Sequence, residues 1–136
     1  MSHRRRHFRS EQGQAAVEFA LIVPVLLLLL LSILQGGIAF HNYLAVTDAA
    51  RAAERQAIVA RISGVTAADV QQAAWDAAPD LDKTSLRTTL SDPTDPTFTT
   101  SGSQLTVTVT YPYSINILGI VVASGNLTSR VTGRLE

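Results

Sequence analysis

From Ala15 to Leu34 the chain carries one strongly polar residue, Glu18, and one mildly polar one, Ser32; everything else in the stretch is apolar or small. About 20 such residues in a helix cross the roughly 30 Å hydrocarbon core of a bilayer. Six consecutive leucines, Leu26 to Leu31, put apolar side chains all the way round that helix, a pattern that suits lipid or the centre of a large protein. A 136-residue chain has too little mass to bury it on every side. The stretch is therefore predicted to span a membrane. Pro24 removes one backbone donor and crowds the carbonyl of Ala20, so a kink is expected there; membrane helices tolerate it where neighbouring groups satisfy the freed carbonyl.

The flanks set an orientation. Arg4, Arg5, Arg6 and Arg9 precede the span, and the first basic residue after it is Arg51. The positive-inside tendency places the N-terminus in the cytoplasm and residues 36–136 outside, a single pass through the cytoplasmic membrane. The overall balance of 11 Lys+Arg against 11 Asp+Glu hides this segregation. Removing the four arginines and Glu11 of residues 1–13 leaves 7 basic and 10 acidic residues, a formal −3 for the remainder. A nucleic-acid partner would need a basic patch on a structured face, and none is visible. The absence of cysteine excludes disulfides and thiolate metal sites. His3, His7 and His41 have no spacing that brings a third ligand beside a pair, so no metal site is expected.

Glu18 is the expensive residue, since an ionisable group within a span costs a few kcal/mol and usually has a partner. It can lie shallowly, reaching back to the head groups, or pair with another charge in an assembly. Gly36 lies five helical turns from Glu18 and so shares its face. Ser32 is near that face, and Ser32 with Gly36 forms a small-xxx-small pair suited to close helix contact.

A basic leader ending in Gly13, a glutamate five residues on at Glu18, then an apolar span: this arrangement resembles the type IV prepilin signal. The longer string GQAAVEFALIVPVLLLLLLSILQGGIAF, followed by Asp48-Ala-Ala-Arg-Ala-Ala-Glu54, resembles the TadE-like minor pilins (pseudopilins) of tight-adherence (Flp, type IVc) pili, over roughly residues 9–55. The resemblance implies cleavage by a prepilin peptidase between Gly13 and Gln14, with the missing glycine side chain admitting the enzyme to the backbone. It implies that Glu18 pairs with the new amino terminus of a neighbouring subunit, offsetting part of the burial of both charges. The implied partners are the peptidase, other pilin or pseudopilin subunits and the lipid bilayer, with incorporation into an extracellular pilus as an end point. Phe19 stands where the major Flp pilins usually carry tyrosine, and the chain is far longer than theirs; both favour the minor-pilin branch.

Other readings of the same head exist. Arg5-Arg6-His7-Phe8 has the look of a twin-arginine signal, but the apolar run is more hydrophobic than such signals favour. Gly37-Ile38-Ala39 offers a small-x-small site whose cleavage would release a soluble domain, although the run exceeds the usual 7–15-residue signal core. An uncleaved anchor holding an external binding domain is the third.

Beyond Gly36-Gly37, which offers a bend, helical patterning resumes. Val46, Ala49, Ala50, Ala53, Ala57 and Ala60 recur at three- and four-residue steps, and Asp48–Arg51 and Arg51–Glu54 are spaced for ion pairs along the helix. The helix is expected to reach Ser63 and stop at Gly64, about 70 Å from Ala15. Thr66-Ala-Ala-Asp69 reads as a capping box opening a short helix to about Ala77, packed on the body through Trp75. Lys83 to Leu90 is predicted as a strand, Ser91 to Ser103 as a loop with two Asp-Pro pairs. Gln104 to Tyr113 alternates Leu105, Val107, Val109 and Tyr111 with threonines, the clearest strand, with Pro112 marking its end or an edge. Ser114 to Ser124 is apolar without alternation and is open between strand, buried loop and docking patch. Asn126 to Leu135 alternates again.

The expected architecture is α+β: a cytoplasmic leader (1–13), a transmembrane helix (14–35), its extracytoplasmic continuation (36–64) and a small domain (65–136) with an antiparallel sheet of about three strands packed on the long helix. No phosphate loop, nucleophile elbow or nucleophile beside a histidine occurs. The carboxylates beyond the span lie in loops and at helix ends. No catalytic residue, cofactor or small-molecule substrate is called for.

Overall fold

The computed structural model describes residues 7–59, 64–92 and 102–135, with side chains from Gly13 onward. The order is helix α1 (His7–Ile58), helix α2 (Ala67–Ala77) and strands β1 (Arg87–Ser91), β2 (Gln104–Ile117) and β3 (Ile120–Arg134). The three strands form one antiparallel sheet in the order β1-β2-β3, so the fold is α+β as expected.

α1 is a single helix of 52 residues, about 78 Å long at 1.5 Å per residue. It continues through Pro24 and through Gly36-Gly37. Its end at Ile58 falls short of the expected Ser63; residues 60–63 lie outside the described set. Its two halves differ in surroundings. The first is exposed along most of the apolar stretch, with only Val23 and Leu31 half-buried, whereas Val46, Ala49, Ala50, Ala53 and Ala57 are fully buried. Small side chains on that seam let α2 and the sheet approach the helix axis closely, and the core closes around Val70 and Ala74 of α2 and Leu105, Val107 and Val109 of β2. Fully burying a valine such as Val107 contributes about 1.5–3 kcal/mol. Of the two spaced ion pairs, Arg51 Nη1 stands 3.5 Å from Asp48 Oδ1, while Glu54 lies over Gly133 of β3, where an added Cβ would meet its Oε1 and Ile58.

α2 opens on the predicted capping box. The Thr66 hydroxyl accepts from the Asp69 N–H at 3.4 Å, and the Asp69 carboxylate accepts from the Thr66 N–H at 2.7 Å. Trp75 packs, half-buried, against the core. β1 begins at Arg87 instead of Lys83 because Asp82 organises a turn first: its carboxylate accepts from the Thr84 N–H at 3.1 Å and from the Ser85 hydroxyl at 2.6 Å. Those bonds hold Asp82 below the ordinary carboxylate range, chiefly through the Ser85 hydroxyl. Local side-chain bonding of this kind competes with strand formation.

β2 buries Leu105, Val107 and Val109 on its core face as the alternation predicts. It does not end at Pro112. β1 pairs only with Thr106–Thr110, so Pro112 lies beyond it on a free edge where no N–H is needed. β2 then runs on to Ile117 beside β3, with one irregularity at Ile115/Asn116. The open segment 114–124 is thus the far end of a hairpin. Of the predicted 91–103 loop, residues 93–101 lie outside the described residues; Gly102 N–H donates to the Leu135 carbonyl at 2.8 Å and ties the loop's end to β3.

Candidate assembly helix and its surroundings

The residues singled out in the sequence lie along α1. Arg4, Arg5 and Arg6 are outside the described residues, and Arg9 belongs to the first turns of the helix, which begins at His7. Gly13 is therefore inside a helix, exposed, with nothing within 4 Å of where a Cβ would stand. One turn on, the Gln14 side-chain amide donates to the Glu18 carboxylate at 3.1 Å. Glu18 is exposed on the helix surface, and within the single chain its carboxylate accepts from the neutral side chain of the residue after Gly13.

Higher up, the Ser32 hydroxyl donates to the Leu28 carbonyl at 2.7 Å. Its polarity is absorbed by its own helix, as a serine facing lipid or a close neighbour requires. Gly36 is exposed, with open space where its side chain would be. The stripe that faces the sheet is a different one: Leu31, Gln35 and Ala39 are half-buried at four-residue steps, and the Gln35 amide donates to the Asn116 carbonyl of β2 at 3.0 Å. Successive residues turn about 100° around a helix. The Glu18–Ser32–Gly36 face thus stands about a quarter-turn from the hairpin and is left uncovered. The fold brings these three residues to one free face of one helix; it does not bring any of them to the sheet.

Among the described residues one helix is long and apolar enough to cross a membrane, and none of its most apolar window is buried. Phe19 is 68% exposed and Ile33 73%. Sequence reasoning missed how far the sheet extends beside this helix: an apolar cleft is lined by Pro24, Leu27, Leu28, Leu30, Leu31 and, from the hairpin, Leu118. The signal was present as Gly119 between two apolar runs, but without the Asn-Gly that usually marks a two-residue hairpin.

A second cleft, of about 460 Å³, lies between α2 and β1 and is lined by Gln71, Trp75, Lys83, Arg87 and neighbouring residues. It presents no carboxylate, histidine or activated hydroxyl in a catalytic grouping. Among the described residues no three His, Cys, Asp or Glu side chains converge as metal ligands would.

No curated protein and no solved structure matches the chain. A family model does match, beginning at Gly13 and ending at Arg55 within the alanine seam, so that it follows α1 and leaves the sheet outside. Over residues 13–55 this chain matches the family described as TadE-like protein.

Proposed function

We propose that the chain is a minor pilin, or pseudopilin, that takes part in assembling a tight-adherence pilus. In this reading α1 holds it in the cytoplasmic membrane with the arginine-bearing end inside, and a prepilin peptidase cuts between Gly13 and Gln14. One observation carries it: the TadE-like match begins at Gly13 and runs along a helix whose apolar window has no buried residue.

The physical consequence of the cut follows from the geometry. In the whole chain Glu18 sits mid-helix, because the helix starts at His7. Removing residues 1–13 makes Gln14 the first residue and creates a helix N-terminus within two turns of Glu18. That end carries a free amine, unsatisfied N–H groups and the positive end of the helix dipole. The same cut discards Arg4, Arg5, Arg6 and Arg9, whose charge orients the chain during insertion. A carboxylate that was shielded only by Gln14 becomes a partner for cationic helix ends, its own or a neighbour's. The uncovered Ser32–Gly36 pair lets a second helix approach on the same face. The work of the protein is then subunit packing, with the peptidase and other pilins as partners.

Glu18→Gln tests the assembly role. It keeps the shape and the Gln14 contact but removes the charge, so membrane insertion and trimming are expected to be normal while pilus assembly falls. Normal piliation by the variant would remove Glu18 from the account.

A further inference from the structure

We infer that the tip of the β2–β3 hairpin, Ile117 to Val122, is a second membrane contact that dips into the acyl chains of the outer leaflet beside α1. This rests on the reading of α1 as a membrane span.

Three observations lead there. The first is depth. The Gln35–Asn116 hydrogen bond fixes Asn116 level with the outer end of the apolar stretch. Leu118, two residues further along β2, reaches about 7 Å below that level at strand rise, the level of Leu31 some four residues down α1. The shared cleft with Leu27, Leu28 and Leu31 shows the same juxtaposition. Whatever medium surrounds those leucines therefore surrounds Leu118.

The second is the turn itself. Leu118 and Gly119 form a two-residue connection with φ of 53° and 85°, the positive values of a type I′ turn, for which Asn-Gly is preferred. Leu118 is the one non-glycine residue with positive φ among the described residues. A leucine held in the left-handed region is strained, and here it projects from the apex with 78% of its surface exposed. Water would favour asparagine at that apex both for conformation and for solvation; only an apolar medium favours leucine. Ile120, Val121 and Val122 beside it are exposed as well.

The third is the polar boundary. Ser114, Asn116, Ser124 and Asn126 mark the strands just above the tip; counting from the Gln35–Asn116 contact, Tyr113 lies about 10 Å up β2 at strand rise and Phe40 and Tyr43 about 8–12 Å up α1, an aromatic level suited to the head-group region. The Asn116 carbonyl, on an edge that β1 does not cover, is taken up by Gln35. Below it only a few residues remain, and Ile117 pairs with Ile120. Among the described residues the outer edge of β3 is unpaired, and its N–H and C=O groups need water, which limits the tip to a shallow depth just below the head groups.

The chain has no cysteine, so single cysteines carrying an environment-sensitive fluorophore can be placed at Leu28 (span), Val121 (tip) and Lys83 (exposed turn). The full chain is reconstituted at low density in vesicles of phosphatidylethanolamine and phosphatidylglycerol, then quenched with aqueous iodide or with nitroxide-labelled acyl chains. The expected result is blue-shifted emission at Leu28 and Val121, quenched by the nitroxide lipid and not by iodide, with Lys83 the reverse. Leu118→Asn added to the Val121 probe is expected to abolish its lipid quenching, although it improves the turn. Val121 quenched by iodide as fully as Lys83, with Leu28 still in lipid, overturns the tip contact alone. Val121 shielded from both quenchers, in proportion to protein density, overturns it in favour of a second copy of the chain. Iodide quenching at Leu28 overturns the span and the tip together.

Discussion

The alanine seam of α1 makes a prediction whose sign separates a close-packed interface from a loose one. Ala53 is fully buried where α1 meets the core. Replacing it by leucine adds three carbons. If space were available, their burial would stabilise the protein by about 2.4 kcal/mol at roughly 0.8 kcal/mol per methylene. If the seam is close-packed, the extra volume forces α2 or the sheet off the helix and destabilises by about 1–3 kcal/mol. Trp75 provides the readout, because it is the sole tryptophan and packs half-buried against the same core. Urea unfolding of the full chain in detergent micelles, followed by Trp75 fluorescence, is expected to show a lower midpoint for Ala53→Leu. With a slope of about 1 kcal/mol/M, a loss of ~2 kcal/mol is a shift of ~2 M. The same leucine at the exposed position Arg55 is expected to change stability by less than about 0.5 kcal/mol. A midpoint for Ala53→Leu that is unchanged or raised would refute the claim that alanines are there to bring the sheet close.

The same assay reads three further expectations. Thr66→Ala removes the side-chain half of the α2 capping box and is expected to destabilise by about 1 kcal/mol; no change would mean that the cap is formed only loosely. Gly133→Val places a branched side chain where even a Cβ meets Glu54 Oε1 at 2.5 Å and Ile58 Cδ1 at 2.7 Å; both are ends of flexible, half-buried side chains that can swing aside, so a loss at the low end, about 1 kcal/mol, is expected. Asp69 is held below the ordinary carboxylate value of 3.8 by the Thr66 N–H and hydroxyl, and Asp82 by Ser85 and Thr84. With the folded value depressed, their contribution is present above pH 3.8 and is lost as pH falls below it through the folded values. Stability should thus be level in this respect at neutral pH and fall in strong acid, and Asp69→Asn with Asp82→Asn should make that fall shallower.

Much of the fold was legible because its signals are periodic. The unbroken apolar run, the alanines at three- and four-residue steps and the Leu105–Val107–Val109 alternation each identify an element and its buried face. Local chemistry was readable where it sits in a short motif, as in Thr66–Asp69. The failures have physical causes too. Asp82 captures Thr84 and Ser85 in a turn, which delays β1 past Lys83. Pro112 does not stop β2, because the partner strand that would need its N–H has already ended. In segment 114–124 the alternation of Ile115 and Ile117 with Ser114 and Asn116 covers only four residues and stops at the tip, where residues 118–122 are all exposed, and the turn uses Leu118 where asparagine is usual. Of the residues proposed to act in assembly, spacing alone placed Glu18, Ser32 and Gly36 on one face. That this face is the one the hairpin leaves open depends on Gln35 meeting Asn116, a contact between residues 81 positions apart that no local pattern encodes.

On the proposed function, α1 is cut after Gly13 and the cut makes the helix end on which assembly depends. The direct measurement is the N-terminal sequence of the protein recovered from membranes of cells that express a prepilin peptidase. A chain beginning at Gln14 is expected, and a bulky residue in place of Gly13 is expected to leave the leader attached. A chain beginning at Met1 or Ser2, an uncleaved anchor, or near Phe40, a released domain, would contradict it.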